Sequence, residues 1–433
     1  MNKFSIAALG LALLAPLGAV QGADALIAQG EYLARAGDCV ACHTAKDGKP
    51  FAGGLAMQTP IGTVYSTNIT PDKTGIGGYS FEDFDKAVRH GIGKDGSSLY
   101  PAMPYPSYAR VTDADMQALY AYFMQGVAPV AQPNREVDIP WPLSMRWPLA
   151  IWRGLFAPKV ESPPTPSGTD PLVSRGAYLV EGLGHCGACH TPRALTMQEK
   201  ALSAGEGDAF LAGSAPLEGW IAKSLRGDYK DGLGSWSEEQ LVQFLKTGRS
   251  DRSAVFGGMS DVVKHSMQYM TDADLTAIAR YLKSLPANDP NDRPAVYDDK
   301  VAKALWNGDD SQAGASVYID NCAACHRTDG HGYTRVFPAL AGNPVLQTED
   351  ASSLIHIVLA GGTLPATHSA PSSFTMPAYA WRLSDQEVAD VVNFIRNSWG
   401  NQGAKVDAND VAKLRTDDLR STSGDDLGQV TSP

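Results

Sequence analysis

Apolar side chains recur at helical spacing in three widely separated stretches: Met116, Leu119 and Phe123; Leu275, Ile278 and Leu282; Val388, Val391 and Ile395. The same start signal precedes each one, as Thr112-Asp113-Ala114-Asp115, Thr271-Asp272-Ala273-Asp274 and Ser384-Asp385-Gln386-Glu387. A hydroxyl three residues ahead of an acid lets side chains and backbone donors of a first helical turn satisfy each other. Three closing helices are therefore expected, each with an aromatic at the same offset, Tyr122, Tyr281 and Phe394. Upstream of each stands a short helical stretch with a glycine and a tyrosine: Gly30 and Tyr32, Gly176 and Tyr178, Gly314 and Tyr318. The middles of the first two blocks also correspond, Gly78-Tyr79-Ser80 with Ser235-Trp236-Ser237 and Gly91 with Gly248.

The chain thus reads as an all-α protein of three tandem units, residues 24–126, 171–285 and 311–400. The first linker, 127–170, is rich in proline and holds Trp141, Trp147, Trp152 and Phe156. Such a segment either wraps between domains or presses against another subunit. The second linker, 286–310, is polar, and 401–433 is a polar tail expected to be loosely ordered. Residues 1–23 fit a secretory signal: Lys3, an apolar run from Phe4 to Val20, then the small residues Gly22 and Ala23. The alternative is an uncleaved anchor, for which the run is short.

Composition narrows the class. Hydrophobic residues at 43% and charged residues at 19% favour folded domains over disorder. A net charge of −11 excludes nucleic acid as a natural partner, since nothing here would neutralise a phosphate backbone.

All six cysteines fall into one motif: Cys39-Val40-Ala41-Cys42-His43, Cys186-Gly187-Ala188-Cys189-His190 and Cys322-Ala323-Ala324-Cys325-His326. This is the attachment pattern of c-type haem. The spacing lets both thiols reach the vinyl groups of one porphyrin, and the adjoining His43, His190 and His326 can then ligate iron. Zinc would need four ligands close together, whereas the motifs lie 147 and 136 residues apart. Neither disulfides nor a thioredoxin-like pair would explain a histidine after every pair. Three covalent haems are expected.

Met103, followed by Pro104, and Met376, followed by Pro377, stand shortly before closing helices and suit the sixth iron position. A Met-Pro pair is not helical core, and a soft thioether favours the reduced iron. In the middle unit Met259 follows two glycines, with Met267, Met270 and His265 as competitors. Other methionines (Met57, Met116, Met124, Met145, Met197) read as packing residues, and the other histidines as surface groups or propionate neighbours. A Rossmann fingerprint, a Ser-His-Asp arrangement and a dedicated acid pair are all absent.

Packing of the aromatic-bearing closing helix on a glycine-containing first helix resembles the terminal-helix crossing of class I cytochrome c. More specifically, Thr59 to Pro71, Leu99-Tyr100-Pro101-Ala102-Met103-Pro104-Tyr105, Trp141 to Pro148, Gly184 to Arg193 and Ser253 to Met259 resemble the triheme cytochrome c subunit of membrane-bound alcohol and sugar-acid dehydrogenases. The likeness runs from about residue 26 to 400 and also places Met103, Met259 and Met376 as axial ligands. It implies a catalytic partner subunit carrying pyrroloquinoline quinone or flavin, a small third subunit, ubiquinone as acceptor, and a place on the periplasmic side of the inner membrane. The rival readings are a peroxidase-like haem enzyme with one open iron and a free-standing electron carrier. The short polar tail departs from the longer, aromatic extension of the alcohol dehydrogenase subunits.

Overall fold

The computed structural model describes residues 17–161, 170–216 and 219–422. Most of the expected signal sequence and the last residues of the tail lie outside them. The first helix, Leu17–Ala36, crosses the closing helix Asp113–Ala121 at Gly30, where a Cβ would lie 2.0 Å from the Ala118 carbonyl oxygen. Pro171–Ala177 crosses Asp272–Ser284 at Gly176, with the Ala277 oxygen 2.0 Å from the same imagined atom. In the third unit Gly314 heads Ala315–Asn321 and meets the Asp390 oxygen of Asp385–Arg396 at 2.3 Å. Helix backbones touch at all three crossings, so only glycine fits there. The first-to-second glycine-to-cysteine spacing lengthens by one residue, and a π turn at Tyr178–Leu183 takes it up.

The middle helices repeat as well. Phe81–His90 and Glu238–Thr247 both begin with a complete capping box, at Ser80/Asp83 and Ser237/Gln240, and both end on a left-handed glycine. The fold is helix-dominated without being purely α: 56–59 pairs antiparallel with 62–65, and 362–363 with 375–376. Units one and two share one continuous core through Leu33, Met116, Leu183 and Leu275, while unit three has its own around Tyr318, Phe394 and Trp399. Val255, Val263 and Leu364 bridge units two and three.

The closing-helix caps differ from expectation in an informative way. Ser384 and Glu387 form the full reciprocal box, but Thr112 and Thr271 make only their own half of it. Their acids are engaged across the interface. Tyr178 of unit two donates to Asp115 at 2.5 Å and accepts from the Thr112 backbone N–H at 3.3 Å. Tyr32 of unit one does the same with Asp274 (2.5 Å) and Thr271 (3.3 Å), so two equivalent tyrosines cap each other's closing helix. Arg175 adds a bidentate bond to Asp274 at 2.8 Å. Tyr318, four residues after its glycine rather than two, turns inward and donates to Arg327 O.

Burial opposes ionisation of Asp274, yet the Arg175 and Tyr32 bonds outweigh it and hold the carboxyl below the ordinary 3.8. A depressed folded value means the contact is fully present above pH 3.8 and is lost as pH falls through the folded value. Tyr32→Phe and Tyr178→Phe should each cost about 1–2 kcal/mol near neutrality, with the Tyr32 penalty shrinking in acid. Denaturant unfolding at several pH values checks both statements; equal Tyr32→Phe penalties at every pH would count against this cap.

The linkers and tail hold more structure than expected. Trp147–Phe156 and Lys300–Trp306 are helices inside the two linkers. Beyond 400, Ala408–Thr422 is helical, with Val406 and Val411 buried, and Arg415 binds Asp385, Ala380 O and Leu383 O. The loosely ordered tail is thus corrected: residues 401–415 belong to unit three. Val406, Val411 and Leu414 pack it against the third core, and Asn393 bonds both backbone groups of Val406. No described helix is long and apolar enough to cross a membrane.

Candidate cofactor sites

Each Cys-x-x-Cys-His segment forms a single helical turn: Cys39–Cys42, Gly187–His190 and Ala323–His326. The first cysteine of every pair packs against the core, and Cys42 and Cys189 are exposed. Burial pushes the Cys39, Cys186 and Cys322 thiols up to about 12. Among the described residues no cluster of three or more His, Cys, Asp and Glu is arranged to hold a metal.

The histidines share one arrangement. His43 Nδ1 lies 2.7 Å from Thr67 O, His190 Nδ1 2.8 Å from Lys223 O, and His326 Nδ1 3.0 Å from Pro338 O. Burial lowers all three imidazoles from their ordinary range, and the carbonyl bonds only partly offset this. A neutral ring donating from Nδ1 leaves the Nε2 lone pair for a metal, the usual outer-shell arrangement of a ligating histidine. Two thiols on one turn beside such an imidazole are the donor set a c-type haem requires. Tyr100 and Tyr105, flanking Met103, and Trp236 of unit two also bury polar atoms that meet no protein partner. The residues present fit the group.

Met103 is half-buried against the core of units one and two, ahead of the Tyr105–Tyr108 turn. Met376 lies in the short strand opposite Gly362, half-buried against the third core. Met259 is not on a loop, as its glycines suggest, but is the second residue of the helix Gly258–His265. Gly257 begins that helix at φ +56° with Trp220 packed on it, which accounts for glycine there. Met267 and Met270 are buried in the shared core, whereas Met259 stays half-buried between two apolar clusters.

The cytochrome c family profile matches residues 27–126 and 311–399. The chain is 64% identical over 423 residues to the gluconate 2-dehydrogenase cytochrome c subunit of Pantoea cypripedii, covering 96% of both chains. It is 58% identical over 419 residues to the alcohol dehydrogenase (quinone) cytochrome c subunit of Gluconacetobacter polyoxogenes, covering 95% of this chain and 90% of that one. The corresponding Gluconobacter oxydans subunit is 56% identical over 416 residues, covering 95% and 87%. The chain belongs to the dehydrogenase cytochrome c subunit family. For this cytochrome c subunit, covalent c-type haem, electron transfer and a dehydrogenase complex follow from membership.

Some of the expected roles move. His185 meets Gly37 O at 3.3 Å and lies edge-on to Tyr108; His356 packs on Trp220 and His368 on Tyr269. All three histidines contact a neighbouring unit; His185 and His356 are half-buried and His368 is exposed. Met116 is core as expected, but Met145 and Met197 are exposed. The carbonyls of Thr67, Lys223 and Pro338 were not foreseeable, because every residue offers one and nothing in the side chain marks it.

Proposed function

We propose that this subunit carries three haems in three class I cytochrome c-like units and relays electrons from a catalytic dehydrogenase subunit to membrane ubiquinone. Cys39/Cys42, Cys186/Cys189 and Cys322/Cys325 would hold the groups covalently. His43 with Met103, His190 with Met259, and His326 with Met376 would ligate the irons, which supply one-electron redox chemistry. The threefold His Nδ1–carbonyl arrangement carries this reading, supported by relatives whose names specify gluconate and quinone-linked alcohol dehydrogenases. The protein's part would be to fix each imidazole tautomer through its carbonyl partner and to supply a methionine thioether from a later segment of the same unit. A secretory leader ending near Gly22 or Ala23 would put the subunit on the periplasmic face, with a small third subunit in the complex. A peroxidase-like reading needs one iron without a methionine, and the half-buried Met259 leaves less room for it.

Stopped-flow haem reduction tests the relay. The purified chain alone should show no reduction by primary alcohols, polyols or aldonic acids. With the catalytic subunit added, substrate should reduce the haems and then a ubiquinone analogue. Substrate-driven reduction of the lone subunit would replace the relay with an enzyme bearing its own site.

A further inference from the structure

From Trp141 to Leu155 every exposed residue is apolar or glycine. Trp141 is 80% exposed, Trp147 63% and Leu155 70%, with Leu143 and Ile151 between them. Trp147, Ile151 and Leu155 stand at helical spacing on one face of Trp147–Phe156. The polar side chains of the stretch turn the other way. Arg146 donates to Ser98 O at 2.7 Å and lies over the Tyr100 ring, and Arg153 donates to Ser98 Oγ at 3.3 Å. Trp152 is anchored too, donating to Thr196 O at 2.7 Å and packing edge-on to Tyr105 and tilted against Phe156. The helix is therefore clamped on its inner face while its outer face stays bare.

At about 150–250 Å² per large aromatic, the two outer tryptophans alone show on the order of 300 Å². With the aliphatic residues the patch exceeds what a monomer exposes without reason. We infer that this face docks in the interfacial layer of a phospholipid bilayer, as an in-plane helix rather than a span. Protein interfaces of this size carry about one hydrogen bond per 100–200 Å², whereas the only exposed side-chain donors on this face are the indole N–H groups of Trp141 and Trp147. Such rings suit a lipid interface, where the apolar body is buried and the N–H meets the headgroup layer. Two tryptophans flanking Leu143, Ile151 and Leu155 give the amphipathic ring-plus-aliphatic pattern of interfacial anchors. Chain elsewhere does not offer a cover: 162–169 is Ser, Pro, Thr and Gly, and 416–433 is polar and charged. With a net charge of −11, attachment must rest on apolar burial and not on attraction to anionic lipid. Docking here brings the Met103 segment, through Ser98, Tyr100 and Tyr105, to the lipid side.

The inference is tested on the full haem-loaded chain, without any electron-transfer readout, so it stands or falls separately from the relay. The probe is flotation with neutral phosphatidylcholine vesicles. Wild-type chain should float at low and at high salt alike. Trp147→Ser and Leu155→Ser should each weaken partitioning roughly tenfold, the transfer free energy of one large apolar side chain, and the pair should abolish it. Trp306→Ser and Trp381→Ser remove equally bare tryptophans elsewhere and should leave flotation unchanged. Haem content and circular dichroism of every variant should match wild type. Absence of wild-type flotation, loss of it in salt, or equal loss in the two control variants would overturn the proposal. So would a double variant that still floats but fails to assemble with the catalytic subunit or with a second copy, because the face would then be a protein interface.

Discussion

Gly176→Val should abolish the fold of the second unit, and Gly30→Val that of the first. A Cβ at Gly176 would sit 2.0 Å from Ala277 O and 2.5 Å from Tyr281 Cβ; at Gly30 it would sit 2.0 Å from Ala118 O and 2.7 Å from Tyr122 Cβ. The obstructing atoms are helical backbone or the first atom of a side chain, so no rotamer change relieves them. The helices would have to separate, opening the core that units one and two share and carrying the motif turns away from their packing. We expect a loss of more than about 4 kcal/mol, in the range reserved for core overpacking and backbone clashes. Even Ala should cost several kcal/mol, by the same overlap. Gly154→Ala is the control: nothing lies within 4 Å of its Cβ, and the helix should gain about 1 kcal/mol of propensity. Denaturant unfolding and covalent haem counting by mass give the answer. A Gly176→Ala chain within about 1 kcal/mol of wild type would show that the crossing is looser than described.

Met259→Leu should remove one third of the weak near-infrared absorption that marks a Met–Fe(III) bond, with total haem unchanged. Met103→Leu and Met376→Leu should each remove another third. Met267→Leu and Met270→Leu should leave the band intact, because both residues are buried in the shared core. Their expected cost is below about 1.5 kcal/mol of stability, as for a volume-conserving core exchange. Loss of the soft ligand should also lower the potential of one haem and open that iron to added ligands such as imidazole. If Met267→Leu took the band and Met259→Leu spared it, the ligand of the middle unit would be misassigned. The middle unit is the informative one, since the family profile matches only the flanking two and Met259 has no following proline.

The motif turns and the closing helices were legible in the sequence because each depends on residues a few positions apart, whereas the glycine crossings were expected only from the resemblance to class I cytochrome c. Cys-x-x-Cys-His needs only one turn of chain, a capping hydroxyl finds its N–H three residues on, and a 3.6-residue period is local by construction. Met103 and Met376 were marked by a proline that excludes helix. Tertiary structure decided what lies beyond that range. Asp115 and Asp274 look like ordinary capping acids, yet both serve tyrosines of the neighbouring unit, 63 and 242 residues away. The carbonyls that hold His43, His190 and His326 come from backbone 24, 33 and 12 residues downstream, and a carbonyl leaves no trace in the residue type. The helix after 400 rests on a few apolar contacts that a mostly polar stretch conceals. In the Trp141–Leu155 segment the sequence announced apolar surface, but only the fold showed which side of it is clamped and which is bare: periodicity names a face, and whether a neighbour covers that face depends on the rest of the chain.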